Sequence, residues 1–219
     1  PRGSRLALVG PSGSGKTTLL NLLAGVAVAD RGRVEVLGTD LSQMSGGGRD
    51  RFRGDRIGLI FQMFNLLPFS SVIDNILLPL SFSKIRRKAV GGAAAADAEA
   101  RRLLRGLGLD PDRVATRPAA ELSVGQQQRV AAARALIGGP ELIIADEPTS
   151  ALDPASRDDF LTLLFEEASR SGAAVLTVTH DEGVAARFSD SVAITSLTGG
   201  GAPRASAAPA AAGVPEAVG

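Results

Sequence analysis

The chain has 219 residues, enough for one large α/β domain or a core domain with one inserted subdomain. Its 24 basic and 23 acidic residues leave a formal charge of +1, so no basic field argues for a nucleic-acid partner. It has no Cys, which excludes disulfides, thiolate metal sites and Cys nucleophiles, and no apolar run approaches the ~18 residues of a membrane span. With no leader-peptide pattern, the expected compartment is the cytosol.

Leu6–Val9 is a short apolar run that ends in Gly-rich sequence and predicts a first strand, with a helix to follow over Thr17–Ala24. Because that strand starts so soon after Pro1, further residues are expected upstream. Arg33–Leu37 alternates like a strand near a sheet edge. Ile57–Phe61 (IGLIF), Leu142–Ala145 (LIIA) and Ala173–Val178 (AAVLTV) are unbroken apolar runs, as strands buried on both faces of a parallel sheet require. Each leads through polar residues into a helical pattern, so the predicted fold class is α/β, with βαβ units in a mostly parallel, doubly wound sheet.

From 81 to 138 the pattern is helical with no convincing strand. The sequence ValGlyGly interrupts it at Val90, and Pro111 and Pro118 punctuate its second half. The expected organisation is an α/β core over 1–80 and 139–197 with a helical subdomain inserted over 81–138. Residues 198–219 are mostly Gly, Ala, Pro and Ser; they cannot bury enough apolar surface to offset their ordering entropy and predict a disordered tail.

GPSGSGKT, Gly10–Thr17, fits GxxxxGK(S/T) between a predicted strand and a predicted helix, the context that gives the pattern its meaning. In such a loop the backbone of Gly10, Pro11, Ser12, Gly13, Ser14 and Gly15 turns N–H groups inward around phosphate oxygens. Lys16 adds a cation, the Thr17 hydroxyl can reach Mg²⁺, and Thr18 continues the helix start that favours the anion. Kinases, GTPases and transport ATPases share this loop, so it limits the chemistry without naming it.

LIIADEP, Leu142–Pro148, carries Asp146 and Glu147 to the carboxyl edge of a buried strand, where such sheets bind ligands. Asp146 is placed to hold Mg²⁺ and Glu147 to polarise an attacking water. His180, the single histidine, follows the AAVLTVT run and reaches the same edge if the strands are parallel. Gln62 ends the IGLIFQ run; its amide can touch the metal or the water there. Taken alone, a solvated strand end, a structural His and a solvated Gln are the plain alternatives.

ELSVGQQQRV, Glu121–Val130, places Ser123 as the cap of an Ala-rich helix, with Gly125 and Gln126 in its first turn. A capped helix end is a second anion site, on a different subdomain from the first. That placement makes sense if it serves the triphosphate of a second copy arranged head to tail.

The order GPSGSGKTT, Gln62, LSVGQ, LIIADEP, SALD, His180 resembles the nucleotide-binding subunit of ABC transporters, from Arg5 to about Leu197. The resemblance implies a P-loop NTPase-type sheet with an inserted helical subdomain, and a homodimer sandwiching two ATP molecules with Mg²⁺. It implies phosphate binding by Lys16 and Thr17, and Gln62 and Asp146 near the metal. Glu147 becomes the base, His180 the switch, Ser123, Gly125 and Gln126 the signature, and Asp153 the dimer contact. Two departures stand out: Val124 replaces the first Gly of the usual LSGGQ, with activity still expected, and no Tyr or Trp is available to stack on adenine.

FQMFNLLPFSSVIDNILLPL, from Phe61, and GTDLSQMS…RDRFRGDRIGLIFQ are similar to ATPases of the lipoprotein-releasing, macrolide-export and cell-division group. The resemblance implies a motor subunit working on integral membrane permease subunits from the cytoplasmic side of the cell membrane. Amino-acid importers share parts of the pattern, and a soluble ABC ATPase of DNA repair or translation is the more distant alternative. Phe64, Leu66, Leu67 and Phe69 offer either a buried mini-core or a groove for a permease helix. The run Lys84, Arg86, Arg87, Lys88 predicts a solvated basic face.

Overall fold

The computed structural model describes residues 2–197. The strands are β1 (Arg5–Val9), the short β2 (Glu35–Val36) and β3 (Thr39–Asp40), β4 (Ile57–Ile60), β5 (Leu142–Asp146), β6 (Ala174–Thr179) and β7 (Asp190–Ala193). The helices up to the middle of the chain are α1 (Lys16–Leu23), α2 (Gly46–Arg56), α3 (Val72–Phe82), α4 (Lys84–Ala89) and α5 (Ala93–Gly106). They continue with α6 (Pro111–Val114), α7 (Val124–Leu136), α8 (Pro154–Ser171), α9 (Glu182–Ala185) and α10 (Ile194–Leu197). The tail expected at 198–219 lies outside the described residues.

Five strands form one sheet in the order β4-β5-β6-β1-β7, and every pairing in it is parallel. Successive side chains of a strand point to opposite faces, so an apolar run feeds two cores at once. Ala7, Ile143, Ala145 and Val175 enter one cluster with residues of α3, α5, α7 and α8. Their neighbours Leu8, Ile144, Leu176 and Val178 enter the other, with Leu20 of α1 and Phe52 of α2. The doubly wound sheet expected from the three apolar runs is the observed one.

Several elements differ from expectation. The edge strand predicted at Arg33–Leu37 shrinks to β2, because Leu37 (φ 50) and Gly38 (φ 74) turn the chain straight back into β3. Two central residues with positive φ suit the right-handed twist of a tight hairpin. Helix α2 was not anticipated: it opens on three glycines, is started by Ser45 accepting from the Gly48 N–H at 3.2 Å, and buries Phe52. Strand β7 was not anticipated either, since none of its residues is fully buried.

From 81 to 138 the chain forms no strand, only an isolated bridge between Ser71 and Pro118. The ValGlyGly interruption separates α4 from α5, with Gly91 and Gly92 both at positive φ. The basic run is corrected at one position. Lys84, Arg87 and Lys88 are exposed, but Arg86 is 2% exposed and donates to the carbonyls of Ala135 (2.7 Å) and Ile137 (2.8 Å from Nε). These carbonyls end α7 inside the protein, where unpaired acceptors need a donor. Burial pushes the Arg86 guanidinium down to about 10, with Asp55 opposing the shift.

Gly58 lets α7 approach the sheet. A Cβ there would lie 2.3 Å from the Ala135 carbonyl oxygen and 2.8 Å from Ile143 Cδ1. The first obstacle is backbone and cannot rotate away. Gly58→Ala is therefore expected to destabilise the fold by about 1–3 kcal/mol, read from chemical denaturation, as overpacking does. An unchanged midpoint and slope would show that α7 can slide on β4.

Candidate active site

A parallel sheet delivers every strand to the same edge at its carboxyl end. The register makes this concrete: Val9 pairs with Thr179, Asp146 with Val178, and Ile60 with Ala145. The residues just beyond are Gly10, His180, Glu147 and, two positions past β4, the exposed Gln62. Four loops distant in sequence thus open at one edge.

Pro11, Ser12, Gly13, Gly15, Thr17 and Thr18 are exposed around the start of α1. Gly13 (φ 78) and Gly15 (φ 89) are left-handed, and a Cβ at either would meet nothing. Their need is conformational, not steric. Gly15 caps α1 without a side-chain bond, so the helix start keeps free N–H groups for an anion. Lys16 is 6% exposed, and its Nζ donates to the carbonyls of Gly10 and Pro11, both at 2.8 Å. The Ser14 hydroxyl is buried with no partner inside the same loop, an orphan that a phosphate oxygen would satisfy.

Thr17 Oγ1 donates to Asp146 Oδ2 at 3.3 Å. Burial raises the Asp146 pKa, the Thr17 hydrogen bond opposes the rise, and the neighbouring Glu147 adds to it. Glu147 has φ 44, held by its N–H donating to the Val178 carbonyl at 3.0 Å. For a non-glycine residue this conformation costs about 1–3 kcal/mol and needs surrounding structure to enforce it. Its Oε1 accepts from Nδ1 of His180 at 2.9 Å.

The signature residues sit apart. Ser123 Oγ accepts from the Gln126 N–H at 3.3 Å while Gln126 Oε1 accepts from the Ser123 N–H at 3.0 Å, a reciprocal cap at the head of α7. Gly125 approaches Leu152 of the SALD turn, and Val124 is 48% exposed. Among the described residues no hydrogen bond joins 121–127 to the phosphate loop.

The family model described as ABC transporter matches residues 1–150. The chain belongs to the ABC transporter family. The lipoprotein-releasing system ATP-binding protein LolD of Ruegeria sp. (strain TM1040) is 44% identical over 188 residues, 85% of this chain and 78% of the relative. LolD of Porphyromonas gingivalis is 41% identical over 185 residues, 84% and 81% of the two chains. The macrolide export ATP-binding/permease protein MacB of Marinobacter nauticus is 43% identical over 185 residues, 84% of this chain but 27% of that longer protein. The ATP-binding cassette MJ0796, solved as a dimer bound to ADP and Pi, superposes with a TM-score of 0.77 at 35% identity, covering 89% of this chain and 83% of its own.

Three further residues of this ABC ATPase tie the site together without belonging to a motif. Gln128 of α7 is fully buried and donates from Nε2 to the Pro148 carbonyl, one residue past Glu147. Arg134 of the same helix donates to the carbonyls of Phe64 and Asn65. Arg157 pairs with Asp181, which caps α9 beside His180. The apolar group after Gln62 divides: Phe64 is 8% exposed and part of the interior, whereas Leu67 and Phe69 are 45% and 93% exposed.

Proposed function

We propose that this chain is the ATP-hydrolysing motor subunit of an export or extraction transporter, acting as a homodimer on separate membrane permease subunits. The observation that carries it is the parallel register that gathers the phosphate loop, Asp146, Glu147 and His180 at one edge, while the capped helix end at Ser123 shares no hydrogen bond with that loop among the described residues. The names of the relatives, lipoprotein release and macrolide export, give the kind of transport.

The loop N–H groups and Lys16 bind the triphosphate. Thr17, Asp146 and Gln62 would hold Mg²⁺; a hydroxyl, one carboxylate and an amide oxygen suit a cation that takes oxygen ligands and keeps several waters. Burial and the neighbouring Glu147 raise the Asp146 pKa against the Thr17 hydrogen bond and the Lys16 charge, so a cation beside it would favour the carboxylate form. The ion supplies neutralisation of phosphate charge. Glu147 orients a water and takes its proton as the oxygen attacks the γ-phosphorus; the bond to the β–γ bridging oxygen breaks, leaving ADP and inorganic phosphate. His180 holds the Glu147 carboxylate and serves as the switch. In the dimer Ser123, Gly125 and Gln126 of one copy close over the ATP of the other, with Asp153 at the contact between sites.

The moving parts are an α/β core and the helical insertion. α3 packs on α5 and α7, so the helical unit we propose begins at Val72, earlier than 81, and runs to 138. A groove of about 370 Å³ between the two, lined by Phe61, Leu78, Pro79, Phe82, Arg53 and Arg134, suits the permease contact. No described helix is long and apolar enough to cross a membrane. Attachment to the cytoplasmic face through the permease is part of the same proposal. Trapping the Glu147→Gln form with ATP in native membranes and identifying co-purified proteins tests this. A permease with a large outer domain is expected; recovery of ribosomes or DNA without a membrane protein would overturn it.

A further inference from the structure

Gln62 lies beyond the end of β4, exposed, and what places it is the backbone that follows. Phe64 (φ 59) and Asn65 (φ 50) are both left-handed. Asn tolerates this region but a bulky Phe does not, so the pair persists only where something enforces it. The turn's own bonds are Phe64 N–H to the Phe61 carbonyl at 2.9 Å and Asn65 N–H to the Met63 carbonyl at 2.6 Å. The third hold comes from far along the chain. Arg134, 8% exposed in the last turn of α7, donates Nη1 to the Asn65 carbonyl at 2.6 Å and Nη2 to the Phe64 carbonyl.

This guanidinium has no carboxylate partner among the described residues, and burial alone lowers its pKa. A buried cation without a counter-charge is costly, and an apolar side chain of similar length would fill the space without that cost. What the guanidinium adds is a forked donor set on the two left-handed carbonyls. Both ends of α7 are therefore engaged. Its head carries the cap Ser123 and, in the first turn, Gln126; its last turn holds the segment after Gln62, and Arg86 fixes its terminal carbonyls.

We propose that Arg134 is a positioning residue for Gln62: it locks the Phe64–Asn65 turn and so ties the metal-side glutamine of one ATP site to the helix whose other end serves the second site. The inference rests on the reading that Gln62 and the head of α7 belong to ATP sites. A 13-residue helix is a rod of about 20 Å. A displacement of the signature thus reaches Gln62 through one bidentate contact.

The test uses the full chain with Arg134→Met, Arg134→Lys, Gln62→Ala and the double variant Gln62→Ala/Arg134→Met. Steady-state hydrolysis, ATP affinity, thermal unfolding and amide exchange over 61–67 are read for each. Arg134→Met is expected to raise exchange in 61–67 selectively and to lower kcat by about ten- to a hundredfold, the effect of a misplaced group, with ATP Kd within about threefold. Arg134→Lys recovers part of the loss, one ammonium serving one carbonyl. The double variant is no slower than Gln62→Ala alone. Unchanged exchange and kcat in Arg134→Met, beside a slow Gln62→Ala, overturns the inference and leaves the role of Gln62 standing. Losses that multiply in the double variant overturn it too, since the two residues then act independently. Gln62→Ala with normal hydrolysis removes the underlying reading. If Arg134→Met fails to fold, exchange and kcat in Arg134→Lys decide alone: wild-type values in both overturn the proposal.

Discussion

Replacing Glu147 with Gln is expected to lower kcat by about 10²- to 10⁴-fold, the contribution of a positioned general base, while ATP still binds. The substitution is close to isosteric, so the left-handed backbone at φ 44 and the bond from its N–H to the Val178 carbonyl are retained. The amide oxygen can still accept from His180, which sits 2.9 Å from Oε1. What disappears is a proton acceptor and one negative charge beside Asp146. Less repulsion faces the triphosphate, so Kd should stay within about threefold or fall. Single-turnover hydrolysis and calorimetric titration separate the two effects. Near-normal hydrolysis would remove Glu147 as the base, and a lost affinity would place it in binding instead.

How much of the fold was legible depends on how each element is buried. β5 was readable because Ile143, Ile144 and Ala145 are all buried, and a short apolar run of this length suits a strand covered on both faces. β7 was not, because it is the sheet's edge and Asp190, Ser191 and Ala193 are exposed. α2 escaped for a different reason. Gly46, Gly47 and Gly48 lack helix propensity, and the helix exists through its Ser45 cap and the docking of Phe52, facts of tertiary structure. The hairpin at Leu37–Gly38 carried its signal in one glycine, just past the predicted strand Arg33–Leu37.

The site divides the same way. The phosphate loop and the strand ends at Asp146, Glu147 and His180 are local motifs on strands that periodicity already places. Gln128, Arg134 and Arg86 act across 20 to 70 residues by donating to backbone carbonyls, and a carbonyl has no residue type to mark it. A signal did exist. In Ala131–Leu136 every residue but one is small or apolar and all are buried, so Arg134 stands as a charge where the pattern calls for none. A buried cation on an apolar helix face demands acceptors, and the demand can be read before the partner is known.

Lys16→Met is expected to weaken ATP binding by about a hundredfold, roughly 2.7 kcal/mol, with the fold intact. The stem of Lys16 is packed and only its ammonium is polar, so methionine keeps most of the volume. The ammonium rests on the carbonyls of Gly10 and Pro11 at 2.8 Å each, without an ion pair among the described residues. Two carbonyl dipoles compensate a buried charge poorly, and a triphosphate compensates it well; the difference drives binding. Removing the charge also removes its desolvation cost, so the midpoint of thermal unfolding without nucleotide should hold or rise, while the upward shift caused by ATP should nearly vanish. Titration of a fluorescent nucleotide, beside unfolding scans with and without ATP, measures both. An unchanged Kd would mean that Nζ stays on its two carbonyls when ATP is bound, leaving the phosphates to the N–H groups of Gly13 and Gly15 and the start of α1.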